Sequence, residues 1–300
     1  MPSVQVNNLN LEYEILGRDD APPLLLIMGL GMQMIAWPDA FCARLADQGF
    51  RVIRFDNRDV GLSSKVVHRQ RPRLMHAAVK SLLGFPLKVP YTLDDMARDT
   101  AGLMDALQLG DAHVVGASMG GMIAQILAAK HPERVRSLVL LMTTSGNPRL
   151  PAPSLKLRLR LVKRPSSKDR ESLIRHSMET WRLIGSPHFP PHEGVLRAKV
   201  ERSFDRGAYP RGMAHQTLAI IASGSRVPLL KRISAPTLVI HGEKDPLIPV
   251  AAAHDLVRHI PGAGIEIIEG MGHDLPPELL PKLAEMILRQ VRRERLRAAA

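Results

Sequence analysis

Cysteine, aromatic residues and long apolar runs are scarce in this sequence of 300 residues. Cys42 is the single cysteine, so no intramolecular disulfide can form, and its apolar neighbours predict a buried structural thiol. Aromatic residues make up only 4%, so aliphatic side chains must build the core. Apolar runs such as residues 24–30 are too short to span a membrane. The first residues also lack the basic and apolar regions of a signal peptide, so we expect a cytoplasmic protein without a membrane span.

Acidic residues are also in the minority, with 29 Asp and Glu against 41 Lys and Arg, giving a net charge of +12. Much of the excess lies in residues 155–164 and 289–297. Neither segment carries a recognisable nucleic-acid-binding motif or interleaved aromatic residues for base stacking. Apolar residues alternate with the cations, which is typical of solvated helix faces. We therefore expect no nucleic-acid partner.

Predicted strands and helices alternate along much of the chain. Predicted strands cover residues 4–6, 11–15, 24–28, 51–55, 112–116, 135–142, 237–241 and 265–269, and the first two flank a turn at 7–8. Predicted helices cover 38–48, 93–107, 119–129, 251–259 and 277–296. Residues 147–227 show helical stretches at 155–162, 169–184 and 194–204 but no convincing strand. The pattern predicts an α/β fold with a mostly parallel sheet, helices on both faces, a core of 1–146 and 228–300, and a helical cap of 147–227.

A nucleophile motif lies in Gly116-Ala117-Ser118-Met119-Gly120, where a predicted strand meets a predicted helix. A serine at such a turn takes a strained backbone conformation, and only small residues two positions away let strand and helix approach closely. The helix N-terminus favours negative charge developing beside the hydroxyl. The alternative is an ordinary glycine-rich turn. The position between strand and helix favours Ser118 as a nucleophile.

Two later motifs supply an acid and a base. Asp245 follows the predicted strand 237–241 and is held by a proline, and His273 lies between glycines after the predicted strand 265–269. Asp245 could instead cap the next helix, and a single loop histidine is often a surface residue. The order Ser, Asp, His, each at the carboxyl end of a strand, favours a catalytic triad. Asp274 is the rival acid, but neighbouring residues in an extended loop tend to point apart.

An oxyanion hole needs two N–H groups aimed at the developing negative charge. The backbone N–H of Met119 is one expected donor, because it follows the nucleophile. The second is expected from the glycine turn after residue 28, with Leu30 as the predicted donor and Gly29 or Gly31 as substitutes. Alternatively, these glycines only shape a turn.

These motifs together resemble the α/β-hydrolase superfamily over nearly the whole chain. Residues 56–63 look like the family's Asp-x-Arg-x-x-Gly-x-Ser segment, and residues 28–31, 37–38 with 56–59, and 270–273 look like the methyl esterases of anthracycline biosynthesis. One departure is Met28-Gly29, where many members of the superfamily have His-Gly. The resemblance implies hydrolysis of a small-molecule carboxylic ester, without fixing the substrate.

The predicted reaction is ester hydrolysis through an acyl-enzyme, which requires no cofactor or metal. Lactone, carbon–carbon bond and peracid chemistry share the serine triad and stay open, as does a non-catalytic ligand receptor. Halide-displacing and epoxide-opening relatives carry an aspartate nucleophile, so Ser118 argues against both. Apolar residues of 147–227 could line a lid over Ser118 or form the lid's own core. The oligomeric state is open, with a homodimer as one option.

Overall fold

The computed structural model describes residues 2–68, 73–163, 165, 167 and 169–298, and its strands form one eight-stranded sheet in the order β1-β2-β4-β3-β5-β6-β7-β8. The strands are β1 (Ser3–Val6), β2 (Leu9–Leu16), β3 (Pro23–Ile27), β4 (Arg51–Phe55), β5 (Ala112–Ala117), β6 (Val135–Leu141), β7 (Thr237–Gly242) and β8 (Gly264–Ile268). β1 and β2 form an antiparallel hairpin, and β2 pairs antiparallel with β4. The pairs from β4 to β8 are parallel, so the predicted α/β fold is confirmed.

Helices cover both faces of this sheet. They are α1 (Asp39–Asp47), α2 (Leu74–Leu82), α3 (Leu93–Ala106), α4 (Met119–Lys130), α5 (Leu155–Val162), α6 (Arg170–Ile184), α7 (Glu193–Gly207), α8 (Pro210–Ser223), α9 (Val227–Leu230), α10 (Ala251–His259) and α11 (Leu280–Ala298). One apolar core lies beneath α3, α4 and α10, and the other beneath α1 and α11. Strands β5 and β7 are buried along their whole length, which is why their sequences are mostly apolar and do not alternate with exposed polar residues.

Cys42 lies inside the core beneath α1 and α11, as its sequence context predicts. Burial raises the pKa of its thiol to about 12, although the nearby Arg54 guanidinium acts in the opposite direction. The thiol therefore stays protonated and unreactive at neutral pH.

The chain between β6 and β7 contains α5 to α9, and its described residues include no strand. We call residues 147–227 the insertion segment. α6 and α7 pack on one another through a small core of their own, Ile174, Met178, Leu196 and Val200. Arg164 and the side chains of residues 293–297, which belong to the two basic segments, lie outside the described residues. Among the helices described, none is long and apolar enough to cross a membrane.

The topology brings the predicted functional segments to one edge of the sheet. The carboxyl ends of β3, β5, β7 and β8 are followed by the segments that carry residues 29–31, Ser118, Asp245 and His273. Parallel strands end at the same edge, and in open α/β sheets this edge is where ligands bind. The order of the strands therefore gathers residues that are more than 200 positions apart in sequence.

Candidate active site

Ser118 occupies the sharp turn between β5 and α4 with φ 53° and ψ −119°, a left-handed conformation that costs energy in any residue but glycine. Its two flanking glycines are required for space. A Cβ on Gly116 would lie 2.5 Å from the Gly120 carbonyl oxygen, and one on Gly120 would lie 2.1 Å from the Ile27 carbonyl oxygen. The close approach of strand and helix expected from the sequence is therefore present, and it holds the serine above the sheet.

Ser118, His273 and Asp245 lie in hydrogen-bond contact. The His273 Nε2 atom is 3.0 Å from Ser118 Oγ, and the His273 Nδ1 atom is 2.7 Å from Asp245 Oδ2. The His273 backbone N–H donates to the carbonyl oxygen of Ile184, 2.7 Å away in the insertion segment. The imidazole thus bridges the serine hydroxyl and the carboxylate, with its loop held from the other side.

Asp245 is buried and well supplied with hydrogen-bond donors. Its Oδ1 atom accepts from the backbone N–H groups of Leu247 at 2.9 Å and Ile248 at 2.8 Å. Burial alone would raise the pKa of this carboxyl group, but the neighbouring His273 and hydrogen bonds from His241, His273 and Ile248 outweigh it and lower the pKa to about 2. The carboxylate is therefore ionised and directed at the imidazole.

Asp274, the rival acid, faces another group. Its Oδ1 atom accepts a hydrogen bond from the Ser186 hydroxyl at 2.5 Å, and that hydroxyl in turn accepts from the Gly272 N–H at 2.8 Å. Burial raises the pKa of Asp274, against the opposing effects of the Ser186 hydrogen bond and of the Lys199 charge. Asp274 thus ties the loop that carries His273 to the insertion segment, while Asp245 contacts the imidazole.

The glycine turn after β3 lies directly against the serine. A Cβ on Gly29 would be 3.1 Å from Ser118 Cβ and 3.6 Å from its Oγ. The Gly31 N–H donates to Gln216 Oε1 at 2.7 Å, so it is engaged and cannot serve as the substitute donor. Within the part of the chain that the structure describes, no hydrogen bond occupies the N–H of Leu30 or Met119.

The glycine turn predicted after residue 28 is present, and its two glycines are required for different reasons. Gly31, rather than Gly29, has the positive φ, at 66°. The reason for glycine at position 29 is the contact with Ser118, since a side chain there would crowd the serine side chain. Gly31 is therefore required for its backbone conformation, and Gly29 for the space beside Ser118.

Comparison with known proteins shows which family this chain belongs to. A family model described as the alpha/beta hydrolase fold matches residues 22–278. The chain belongs to the α/β hydrolase fold family.

Three relatives of this α/β hydrolase match it along nearly its whole length. Rhodomycin D methylesterase DnrP of Streptomyces peucetius is 31% identical, covering 97% of this chain and 99% of the relative. Rhodomycin D methylesterase DauP of Streptomyces sp. (strain C5) is 32% identical, covering 95% and 96%. The crystal structure of the enol-lactonase from Burkholderia xenovorans LB400 superposes with a TM-score of 0.75 at 26% identity, covering 97% and 99%. The predictions of a hydrolase and of a resemblance to methyl esterases are confirmed.

The segment that begins at Asp56 has contact partners that the sequence does not reveal. Asp56, within the segment resembling the family's Asp-x-Arg motif, accepts from the Met34 N–H at 2.7 Å and pairs with Arg206 of α7 at 2.6 Å. Asn57 donates to the Met28 carbonyl at 3.1 Å. These contacts hold the chain on either side of the glycine turn. The motif at 56–59 is visible in the sequence, but its partners on α7 and α8 are not, because they are about 150 residues away.

Proposed function

We propose that this α/β hydrolase cleaves carboxylic esters, with Ser118 as nucleophile, His273 as general base and acid, and Asp245 as the group that orients the imidazole. The observation that carries the proposal is the pair of contacts from His273, 3.0 Å to the serine oxygen and 2.7 Å to the Asp245 carboxylate. These distances are those that a nucleophile and its base require.

In the proposed reaction, Ser118 Oγ attacks the ester carbonyl carbon while His273 Nε2 accepts its proton. The Nδ1–H of the imidazolium donates to Asp245, which remains ionised because its pKa is low. Collapse of the tetrahedral intermediate transfers the proton from His273 to the departing alcohol and leaves an acyl-serine. Water then attacks the acyl group by the same route and releases the acid. Ester and water give acid and alcohol, so the balance needs no other reactant.

The negative charge of the tetrahedral intermediate needs two donors, and we assign them to the N–H groups of Met119 and Leu30. Met119 is the first residue of α4, so its N–H also benefits from the positive end of the helix dipole. Leu30 follows Gly29, which lies against Ser118. The engagement of the Gly31 N–H by Gln216 supports Leu30 over its neighbour.

We further propose that the insertion segment is a cap that covers the site. The segment reaches the His273 loop through Ile184 and Ser186, and the glycine turn through Gln216. Met213 lies against Gly31, and half of its side chain is exposed, so it could contact a bound substrate. Met178, by contrast, is buried between α6 and α7 in the segment's own core.

The likeness to the two rhodomycin D methylesterases suggests a methyl ester of a larger acid as substrate. The test incubates the enzyme with p-nitrophenyl acetate and with a panel of methyl esters of increasing acid size, measuring released p-nitrophenol and methanol. We expect turnover of both, and loss of about 10⁴-fold or more of kcat in Ser118→Ala. A folded Ser118→Ala protein with near-normal turnover would rule out the serine mechanism.

Lactone hydrolysis is the second candidate, because the enol-lactonase structure covers nearly the whole chain. The two activities differ in their products. A methyl ester releases methanol and an acid, whereas a lactone opens to a single hydroxy acid. Including a five-membered and a six-membered lactone in the same panel separates them: turnover of lactones alone would replace the first proposal by the second.

A further inference from the structure

The turn that carries Leu30 has a defined type. The Met32 N–H donates to the Gly29 carbonyl at 3.2 Å and closes a four-residue turn from 29 to 32. Of the two central residues, Gly31 has a positive φ and Leu30 does not. This is the type II arrangement, which favours glycine at the third position.

Type I and type II turns differ mainly in the orientation of the central peptide, here the one between Leu30 and Gly31. That peptide carries the Gly31 N–H. Its acceptor is the side-chain oxygen of Gln216 on α8, 2.7 Å away. The contact therefore favours the type II orientation over the type I orientation.

Gln216 is itself held in one orientation. Its side chain is fully buried, and its amide nitrogen donates to the Arg58 carbonyl at 2.9 Å. Because one end of the amide meets an N–H and the other meets a C=O, a flipped amide would place like groups opposite one another. The side chain thus links α8, the glycine turn and the segment after β4 in a single geometry.

We propose that Gln216 is a positioning residue for the oxyanion hole, a role that rests on the proposed ester hydrolysis. It anchors the Gly31 N–H, in the residue directly after Leu30, and thereby restricts the movement of Leu30, whose own N–H is the proposed donor. The donor must be in place before the reaction, because a preorganised donor needs no rearrangement as charge develops. Gln216 acts through the turn and does not touch the substrate.

Other contacts hold the chain on either side of the turn and do not reach its central peptide. Asp56 accepts from the Met34 N–H, and Asn57 donates to the Met28 carbonyl. Met213 packs on Gly31 but offers no hydrogen bond to it. Among the described residues, Gln216 is the hydrogen-bond partner of the Gly31 N–H, so its loss should release the central peptide while the ends stay anchored.

The test replaces Gln216 by Met, which has a similar length and no amide. We expect kcat for p-nitrophenyl acetate to fall about 10-fold to 100-fold, somewhat less than for the removal of a whole oxyanion donor. KM should change by less than about threefold, because the donors act chiefly in the transition state. The pH profile of kcat/KM should keep its shape, because the imidazole and Asp245 are untouched.

Inhibitors separate positioning from a general structural loss. A trifluoromethyl ketone adds to Ser118 and places an oxygen in the oxyanion hole, so its inhibition constant should rise by the factor by which kcat/KM falls. Inhibition by the product acid should stay unchanged. Thr217→Val is the matched control, because the hydroxyl of this neighbour on α8 donates to the Met213 carbonyl of its own helix at 2.8 Å and has no other bond among the described residues. We expect the control to retain wild-type kcat.

Each outcome decides a specific claim. An active wild-type enzyme with an equally active, folded Gln216→Met variant would overturn the role of Gln216 alone. A wild-type enzyme that turns over no ester or lactone would overturn the proposed function and this role with it. If Gln216→Met does not fold, Gln216→Asn keeps a buried amide but is one methylene too short to bridge both partners. The Asn variant should show the same loss of kcat, and wild-type kcat in it would contradict the proposal.

Discussion

Asp245 and Asp274 show how neighbouring groups determine the pKa of a buried carboxyl group. Burial acts on both residues in the same direction. At Asp245 an adjacent imidazole and two backbone N–H groups outweigh the effect of burial, and the pKa falls. At Asp274 burial outweighs the hydrogen bonds from Ser186 and the charges of Lys199 and His273, and its pKa rises. The two residues therefore have different expected roles, orientation of the base for Asp245 and attachment of a loop for Asp274.

Replacing each acid by its amide should separate these roles. We expect Asp245→Asn to lower kcat about 10⁴-fold, because an amide donates to the imidazole and favours the wrong tautomer. Asp274→Asn should change kcat by less than about threefold, since its amide oxygen can still accept from the Ser186 hydroxyl. Turnover of p-nitrophenyl acetate measures both, with thermal unfolding as the check on folding. A large loss confined to Asp274→Asn would make Asp274 the triad acid.

The raised pKa of Asp274 also predicts how stability depends on pH. A carboxyl group whose pKa is raised on folding stabilises the native state below its unfolded pKa, about 4, and loses that contribution as pH rises through the folded pKa. The stability of Asp274→Asn relative to wild type should therefore increase between pH 4 and pH 7. Urea unfolding at several pH values measures this difference. A difference that moves the other way would mean that Ser186 and Lys199 outweigh burial.

Gly29 should tolerate a large side chain poorly, because a Cβ would already lie 3.1 Å from that of Ser118. We expect Gly29→Val to lower kcat/KM about 100-fold, through crowding of the nucleophile and displacement of the Leu30 N–H. Gly110→Ala is the control, since a Cβ there meets no atom within 4 Å. Steady-state kinetics of both variants test the point. Near-normal turnover in Gly29→Val would place the oxyanion hole elsewhere.

At this scale, local sequence signals locate some site residues and miss others. Ser118, Asp245 and His273 each follow an apolar strand and have glycine or proline neighbours, so their positions can be predicted. Gln216 and Ser186 have no such signal, because their importance depends on which backbone groups the folded chain brings to them. A buried polar residue is recognisable only after its partners are known.

At the scale of elements, the strands are predicted to within about one or two residues, because buried strands are continuous apolar runs. Helix α8 is not predicted. Its buried face includes Gly212, His215 and Gln216 beside Leu218 and Ala219, so the apolar periodicity that marks a helix is interrupted. The two polar residues that interrupt this periodicity have partners elsewhere in the fold. His215 contacts Asp59, and Gln216 contacts the glycine turn.

Helix α3 offers a test of local structure apart from chemistry. It begins with a capping box, in which the Thr92 hydroxyl accepts from the Asp95 N–H and the Asp95 carboxylate accepts from the Thr92 N–H. We expect Thr92→Ala to lower the free energy of unfolding by about 1 kcal/mol, whereas Thr92→Ser keeps the cap. Urea denaturation measures the change, and kcat should be unaffected in both. Equal stability of the Ala and Ser variants would show that the cap contributes nothing.

At the scale of the molecule, the insertion segment contacts both halves of the site. Ile184 and Ser186 hold the loop of the base, and Gln216 holds the turn of the proposed oxyanion donor. A shift of the segment would therefore loosen the proposed base and the proposed oxyanion donor together. This arrangement explains why two motifs that are far from the insertion segment in sequence depend on it for their geometry.

The basic excess is the remaining property of the whole molecule. Several cations of the insertion segment pair with acids of the same segment, as in Arg197 with Glu171 and Arg170 with Asp205. On α5, Lys156 and Arg158 are exposed beside the exposed side chains of Leu155 and Leu159. Leucines without stacking aromatic residues do not form a platform for bases.

We therefore predict that the protein binds nucleic acid no more tightly than an ordinary basic surface does. Fluorescence anisotropy with random duplex and single-stranded DNA at physiological salt should give Kd values weaker than about 1 μM, the range of non-specific binding. Any weak signal should disappear as salt rises, because it depends on the release of counterions. A double variant, Lys156→Glu with Arg158→Glu, serves as the comparison, since it reverses the exposed charge of α5 without touching the site. Sub-micromolar binding that this variant abolishes would mean that α5 is a nucleic-acid surface and that the positive charge has a function beyond the hydrolase site.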